Sequence, residues 1–151
     1  MFHRFFYLVG VTLNHTLAKP NAAALFVKRI NAHDVEGLIR LMTSDHIMVD
    51  SLGERFARPA IEEGWRQYFG IVPDYRVRID RKITMGDATI LIGSAGGTYV
   101  APGTPRRSGG RWVSPAVWLA RTRGGKVAEW RIYADNEPIR ARMREAAGRK
   151  D

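Results

Sequence analysis

Ala23, Phe26, Val27 and Ile30 fall at i, i+3, i+4 and i+7, and this single apolar stripe predicts a helix that begins near Asn21. Asn31-Ala32-His33-Asp34 interrupts it; His33 reads as a surface loop residue and Asp34 as the cap of a second short helix with the stripe Val35, Leu38, Ile39 and Met42. A strand over 45–50 follows, its alternation placing His46, Met48 and Asp50 on one face and Ile47 and Val49 on the other. Pro59 suits the first turn of a third helix, which presents Ile61, Trp65 and Phe69 along one side and ends at Gly70 and Pro73. The period then changes to two. Tyr75, Val77 and Ile79 alternate with Arg76, Arg78 and Asp80, residues 87–95 are more continuously apolar, and residues 111–121 and 126–134 are strands joined by the hairpin signal Thr122-Arg123-Gly124-Gly125. Pro115 predicts an edge position or a bulge. Asp135-Asn136-Glu137-Pro138 caps a final short helix whose arginines lie toward its C-terminal end, where the helix dipole favours them. Helices first, then a run of strands, then one helix is the order of an α+β fold, with helices covering one face of a curved antiparallel or mixed sheet.

The 151 residues are the size of one ordinary domain, and a hydrophobic fraction of 45% can supply its core. With no cysteine there are no disulfides, thiol nucleophiles or cysteine metal sites, which fits a reducing, cytoplasmic setting. The net charge of +9 is uneven: residues 104–151 hold 12 of the 24 basic side chains and 5 of the 15 acidic ones. Arg106, Arg107 and Arg111 stand in or beside the loop 101–110, and Arg140, Arg142, Arg144, Arg149 and Lys150 in the tail. This charge reads as a solvated basic surface, so neither nucleic acid nor membrane is an expected partner. Residues 1–20 stand apart: the apolar stretch from Phe5 to Leu13 is too short to span a bilayer, and no clear small-x-small cleavage site follows. They read as an extension that packs on the domain or a misassigned start, with export by an atypical signal left open; residues 21–137 form the domain and 138–151 a basic helix and tail.

The candidate chemistry centres on Asp50, a lone carboxylate at the end of an apolar strand. Such a group is costly unless solvated, hydrogen-bonded or used. It is either a general base or an acceptor that stabilises the turn Ser51-Leu52-Gly53-Glu54. His46 stands about 13 Å away along a strand, too far for a dyad. It either faces the same ligand from the other end or is a partly exposed histidine at the strand start. Four histidines without a close pair give no metal-ligand spacing. There is no GxGxxG, Walker loop or Gly-x-Ser-x-Gly, and Ser51 has no histidine in register for a serine hydrolase. Trp112 and Trp118 share a strand face with Ser114 and Ala116; they are dimer surface if Val117 faces inward and pocket wall if it faces outward. Asp135 reads as a helix cap.

Phe26 to Asp34, His46 to Gly53, Pro59-Ala60-Ile61, and Gly125-Lys126-Val127 with Glu129, Arg131 and Tyr133 give an order and spacing that resembles the nuclear transport factor two superfamily. The pattern is most similar to SnoaL-like polyketide cyclases and ketosteroid isomerases, over about residues 21–137. The resemblance implies a cone whose bent sheet and helices enclose an apolar cavity, with Asp50 at the position of the proton-shuttling aspartate. It places Phe26 and Val117 where ketosteroid isomerases carry oxyanion donors, and neither side chain can donate. Loss of one such donor costs about 10²–10³-fold in rate, so steroid isomerisation by that route is not expected. The last strand is similar to that of superfamily epoxide hydrolases, but Ile132 stands where an inward carboxylate is needed. The resemblance further implies that Trp65, Phe69 and Trp130 line the cavity, unless they fill the cone as core. Scytalone dehydratase relatives use separated histidine and aspartate groups, as His46 and Asp50 would. The expectation is a cofactor-free, metal-free homodimer that binds a small apolar carbonyl compound, with Asp50 as base in isomerase, cyclase or dehydratase chemistry. The alternative is a non-catalytic binding or dimerisation module.

Overall fold

A computed structural model describes residues 20–103 and 110–148. Residues 1–19 of the extension, Arg106 and Arg107 of the basic loop, and Arg149 and Lys150 of the tail lie outside the described residues. Helix α1 (Ala22–Asn31) starts where Asn21 accepts the N–H groups of Ala23 and Ala24, and its stripe of Ala23, Phe26, Val27 and Ile30 is buried. Asp34 caps α2 (Val35–Leu41) through the N–H of Gly37. Met42 is buried as the stripe requires, yet it already belongs to β1 (Met42–Val49), so the helix is one residue shorter and the strand starts three residues earlier than the pattern predicts.

After β1 come β2 (Arg55–Ala57), α3 (Arg58–Ile71) with Pro59 in its first turn, β3 (Arg76–Met85), β4 (Ala88–Thr98), β5 (Arg111–Arg123), β6 (Lys126–Ala134) and α4 (Glu137–Ala147). The strands form one curved, unclosed mixed sheet in the order β2-β1-β6-β5-β4-β3, in which β1 runs parallel to β6 and every other pair is antiparallel. The α+β class and the helix-covered sheet are as the pattern implies. Positive φ at Gly124 and Gly125 forms the tight β5–β6 turn, a backbone region that costs glycine no steric strain.

Two local expectations are corrected. Pro115 lies on an interior strand with no bulge beside it, paired with Ser94 of β4. It is accommodated because β6 ends at Ala134, opposite Ala116, so the β6 ladder is already finished where the missing N–H falls. His33 is half-buried rather than a free surface residue: it adopts φ 53, its Nε2 meets the Tyr75 carbonyl at 2.9 Å, and its ring stacks on Phe69 at 4.3 Å.

On β5 burial alternates strictly. Trp112, Ser114, Ala116, Trp118 and Ala120 turn inward, and Val117 turns to the outer face, level with Ile92 of β4 and Tyr133 of β6. The core lies between α1, α2 and the inner sheet face, where Phe26 packs on Trp130 with ring centres 4.7 Å apart and both are fully buried. Among the described residues no helix is long and apolar enough to cross a membrane.

Candidate functional site

A cavity of about 390 Å³ opens between α3 and the inner face of the sheet. Its walls follow from the two periodicities. Ala60, Gly64, Trp65 and Tyr68 come from one side of α3, and Ser114, Ala116 and their tryptophan neighbours come from the inward set of β5. Small side chains in the middle of β5 leave the space, and large ones at 112 and 118 bound it. Tyr75 and Ala95 close the β3–β4 side; Met48, Phe56 and Ile132 close the β1–β6 side.

Asp50 lines this cavity from the turn that follows β1. Its Oδ1 accepts the N–H groups of Leu52 and Glu54, both at 2.9 Å, and Oδ2 has no hydrogen-bond partner among the described residues. The turn thus fixes the carboxylate through one oxygen and leaves the other unoccupied. Beside it Asn136 donates to Ser51 Oγ at 2.6 Å, joining that turn to the start of α4. Asp135 also lines the cavity; it stands one residue before the N-cap of α4, Asn136, rather than at the cap itself, its Oδ1 accepts the Glu137 N–H at 2.8 Å, and Ser114 Oγ donates to its carbonyl at 2.8 Å.

In the same cavity wall Tyr68 and Tyr75 meet edge to face at 5.0 Å, and neither hydroxyl has a protein partner among the described residues. Burial raises the Tyr68 phenol well above its usual value; burial, and then the neighbouring Tyr68, do the same for Tyr75. Both stay protonated and able to donate. The indole N–H groups of Trp65 and Trp112 are buried without a partner, so the cavity meets these rings through carbon surface rather than their donor edges.

Of the residues proposed from sequence for catalysis or ligand contact, Asp50 and Trp65 line the cavity, whereas His46, Phe26, Phe69, Trp130 and Val117 lie elsewhere; Trp112 and Trp118 take the pocket-wall side of the alternative left open for them. Phe69 sits behind Trp65, its ring stacked on it at 5.1 Å. Phe26 and Trp130 fill the core beneath. Val117 is on the outer face, so its match to an oxyanion donor position does not reach the cavity. His46 is 1% exposed, not a partly exposed strand-start residue. It lies where the β1–β6 register slips, and its Nδ1–H donates to the Val127 carbonyl at 2.7 Å. Burial holds its pKa below the ordinary histidine value, against the pull of that bond, and it is a neutral core group. Tyr68 went unnoticed in the sequence and Tyr75 reads there only as part of an alternating strand, although Tyr68 stands three residues after Trp65 on one helix side and Tyr75 shares the parity of Val77. Among the described residues no group of three or more His, Asp or Glu side chains could hold a metal ion.

The sequence profile of the SnoaL-like domain matches residues 23–130. The chain belongs to the SnoaL-like domain family. Solved structures with the same fold include AclR of Streptomyces galilaeus, a candidate hydroxylase; it is 17% identical, with 82% of this chain and 83% of that one covered and a TM-score of 0.69. IdmH of Streptomyces antibioticus, a candidate polyketide cyclase, is 20% identical over 81% of this SnoaL-like chain and 95% of its own, with a TM-score of 0.68. A ketosteroid isomerase-like protein from Catenulispora acidiphila, solved in complex with trimethylamine, is 20% identical over 82% and 92%, with a TM-score of 0.69. Comparison with curated proteins gave no sequence match.

Proposed function

We propose that this SnoaL-like domain binds a small, largely apolar molecule in the cavity and that Asp50 acts on it as a general base toward a carbonyl-bearing compound, without a cofactor. The observation that carries the reading is a carboxylate clamped by its own turn, with one oxygen unpartnered, in the wall of an aromatic-lined hollow. A base needs a fixed position within reach of the proton it removes. The Tyr68 and Tyr75 hydroxyls supply the donors that Phe26 and Val117 do not, so negative charge on a ligand oxygen has a place to go. Isomerase, cyclase or dehydratase chemistry fits this set. The test is a thermal-shift screen of aromatic carbonyl compounds, followed by turnover of the hits. Hits lose their shift in Ala116→Leu, which fills the hollow, and Asp50→Asn turns them over at background rate while still taking up a neutral aromatic probe. Wild-type turnover in Asp50→Asn ends the catalytic reading.

A second reading, a non-catalytic dimerisation module, draws on the outer sheet face. Ile92, Val117 and Tyr133 form one cross-strand row there, and Val113 and Tyr133 are 56% and 52% exposed. Such a patch favours a second copy of the chain. Light scattering of wild type and Val117→Lys tests it: a dimer split by the charge supports the module's surface, and a monomeric wild type refutes it.

A further inference from the structure

The charges of the cavity oppose those of the chain. The protein carries +9 overall, yet among the described residues those lining the cavity include no Lys, Arg or His, and their charged members are Asp50 and Asp135. Neither aspartate forms an ion pair among the described residues. Each aspartate spends one oxygen on backbone N–H groups and keeps the other. Around them stand Trp65, Tyr68, Tyr75, Trp112 and Trp118. Because the indole N–H edges of Trp65 and Trp112 are buried, what these rings offer is π surface, whose negative quadrupole attracts cations. Tyr75, also in the lining, is only 8% exposed, and its hydroxyl has no hydrogen-bond partner among the described residues.

An anionic ligand would meet two carboxylates and no counter-charge. A neutral one would use the tyrosines, and Asp50 as its base, but leave both carboxylates without a counter-charge. An organic cation satisfies the carboxylates and the rings together. We infer that the ligand of this cavity is an amine, held as its ammonium ion against Asp50 and Asp135 with its apolar body among the aromatic rings. The inference rests on the cavity being the ligand site, and adds the charge of what enters it.

Calorimetric titration of the full chain at pH 7 with three probes of one shape tests it: 2-phenylethylammonium, 2-phenylethanol and phenylacetate. The ammonium binds at least about tenfold more tightly than the alcohol, as a partly desolvated cation–π and carboxylate contact requires, and phenylacetate binds weakest. In Asp50→Asn/Asp135→Asn, where each asparagine keeps an oxygen for the backbone N–H groups, the preference for the ammonium falls to near unity and the alcohol binds as in wild type. Asp135→Asn alone gives a smaller fall in the same direction and serves if the double variant does not fold. Equal affinity for ammonium and alcohol, or a preference that survives both substitutions, overturns the cation inference and leaves the cavity as ligand site. If none of the probes binds and the carbonyl screen also gives no shift, both readings fall.

Discussion

Replacing Asn31 by alanine removes two hydrogen bonds that seal an open sheet edge. The Asn31 amide donates to the Val77 carbonyl and accepts the Val77 N–H, both at 2.8 Å. Val77 lies on β3, an outermost strand, so these groups have no strand beyond them to pair with. It is only 3% exposed, and water cannot readily replace the lost amide. Two hydrogen bonds at about 0.5–1.5 kcal/mol each, with some cost for the groups left unpaired, give a loss of about 2–4 kcal/mol. For a domain of this size that is about 10 °C in Tm. Urea unfolding should show a lower midpoint with an unchanged slope, since the same surface is exposed on unfolding. Asn31→Asp should not rescue: it keeps an acceptor for the N–H but turns a second oxygen on the Val77 carbonyl. A loss below about 1 kcal/mol in Asn31→Ala, or full stability in Asn31→Asp, would show that the edge is not sealed in this way.

Three further outcomes follow from the packing. Because burial depresses the His46 pKa below its ordinary 6.5, the unfolded chain binds the proton more readily; stability is complete above about pH 6.5 and declines on acidification toward the folded value, by up to about 1.4 kcal/mol per pH unit. His46→Asn, which retains an N–H for Val127, should flatten chemical unfolding between pH 7 and 5.5; an unchanged slope would clear His46 of the effect. A Cβ at Gly93 would collide with the Arg78 carbonyl across the β3–β4 ladder, so Gly93→Ala should cost about 1–3 kcal/mol in urea midpoint, and a neutral result would mean the strands separate freely. Trp130→Ala should cost about 3–5 kcal/mol yet leave the order of probe affinities unchanged, because Trp130 packs on Phe26 and does not face the cavity; a changed order would contradict that placement.

Much of the fold is written in local pattern. The α1 stripe, the Asp34 cap, Pro59 at the start of α3 and the Gly124-Gly125 turn are each decided by neighbours in sequence, and each is found where the pattern puts it. The inward face of β5 is not decided in this way. Trp112, Ser114, Ala116 and Trp118 alternate with Val113, Pro115, Val117 and Leu119, so both faces carry apolar residues and a period of two cannot say which is buried. That ambiguity hid two walls of the cavity and aligned Val117 with an interior position. His33 was illegible for another reason: its partner, Tyr75, is 42 residues away, and only the folded chain brings them together. Asp50 was legible because a strand-end carboxylate has few uses, and the structure shows one of them, holding the turn, alongside a free oxygen compatible with the other.

The alternation of bulky indoles with serine and alanine along one face of β5 has a consequence for how such a protein diversifies. Ser114 and Ala116 set the depth of the hollow, while the aspartates belong to separate turns. Enlarging or trimming either small residue would reshape what fits without moving the acidic groups, so the shape of the hollow can drift by single codon changes while both carboxylates keep their places.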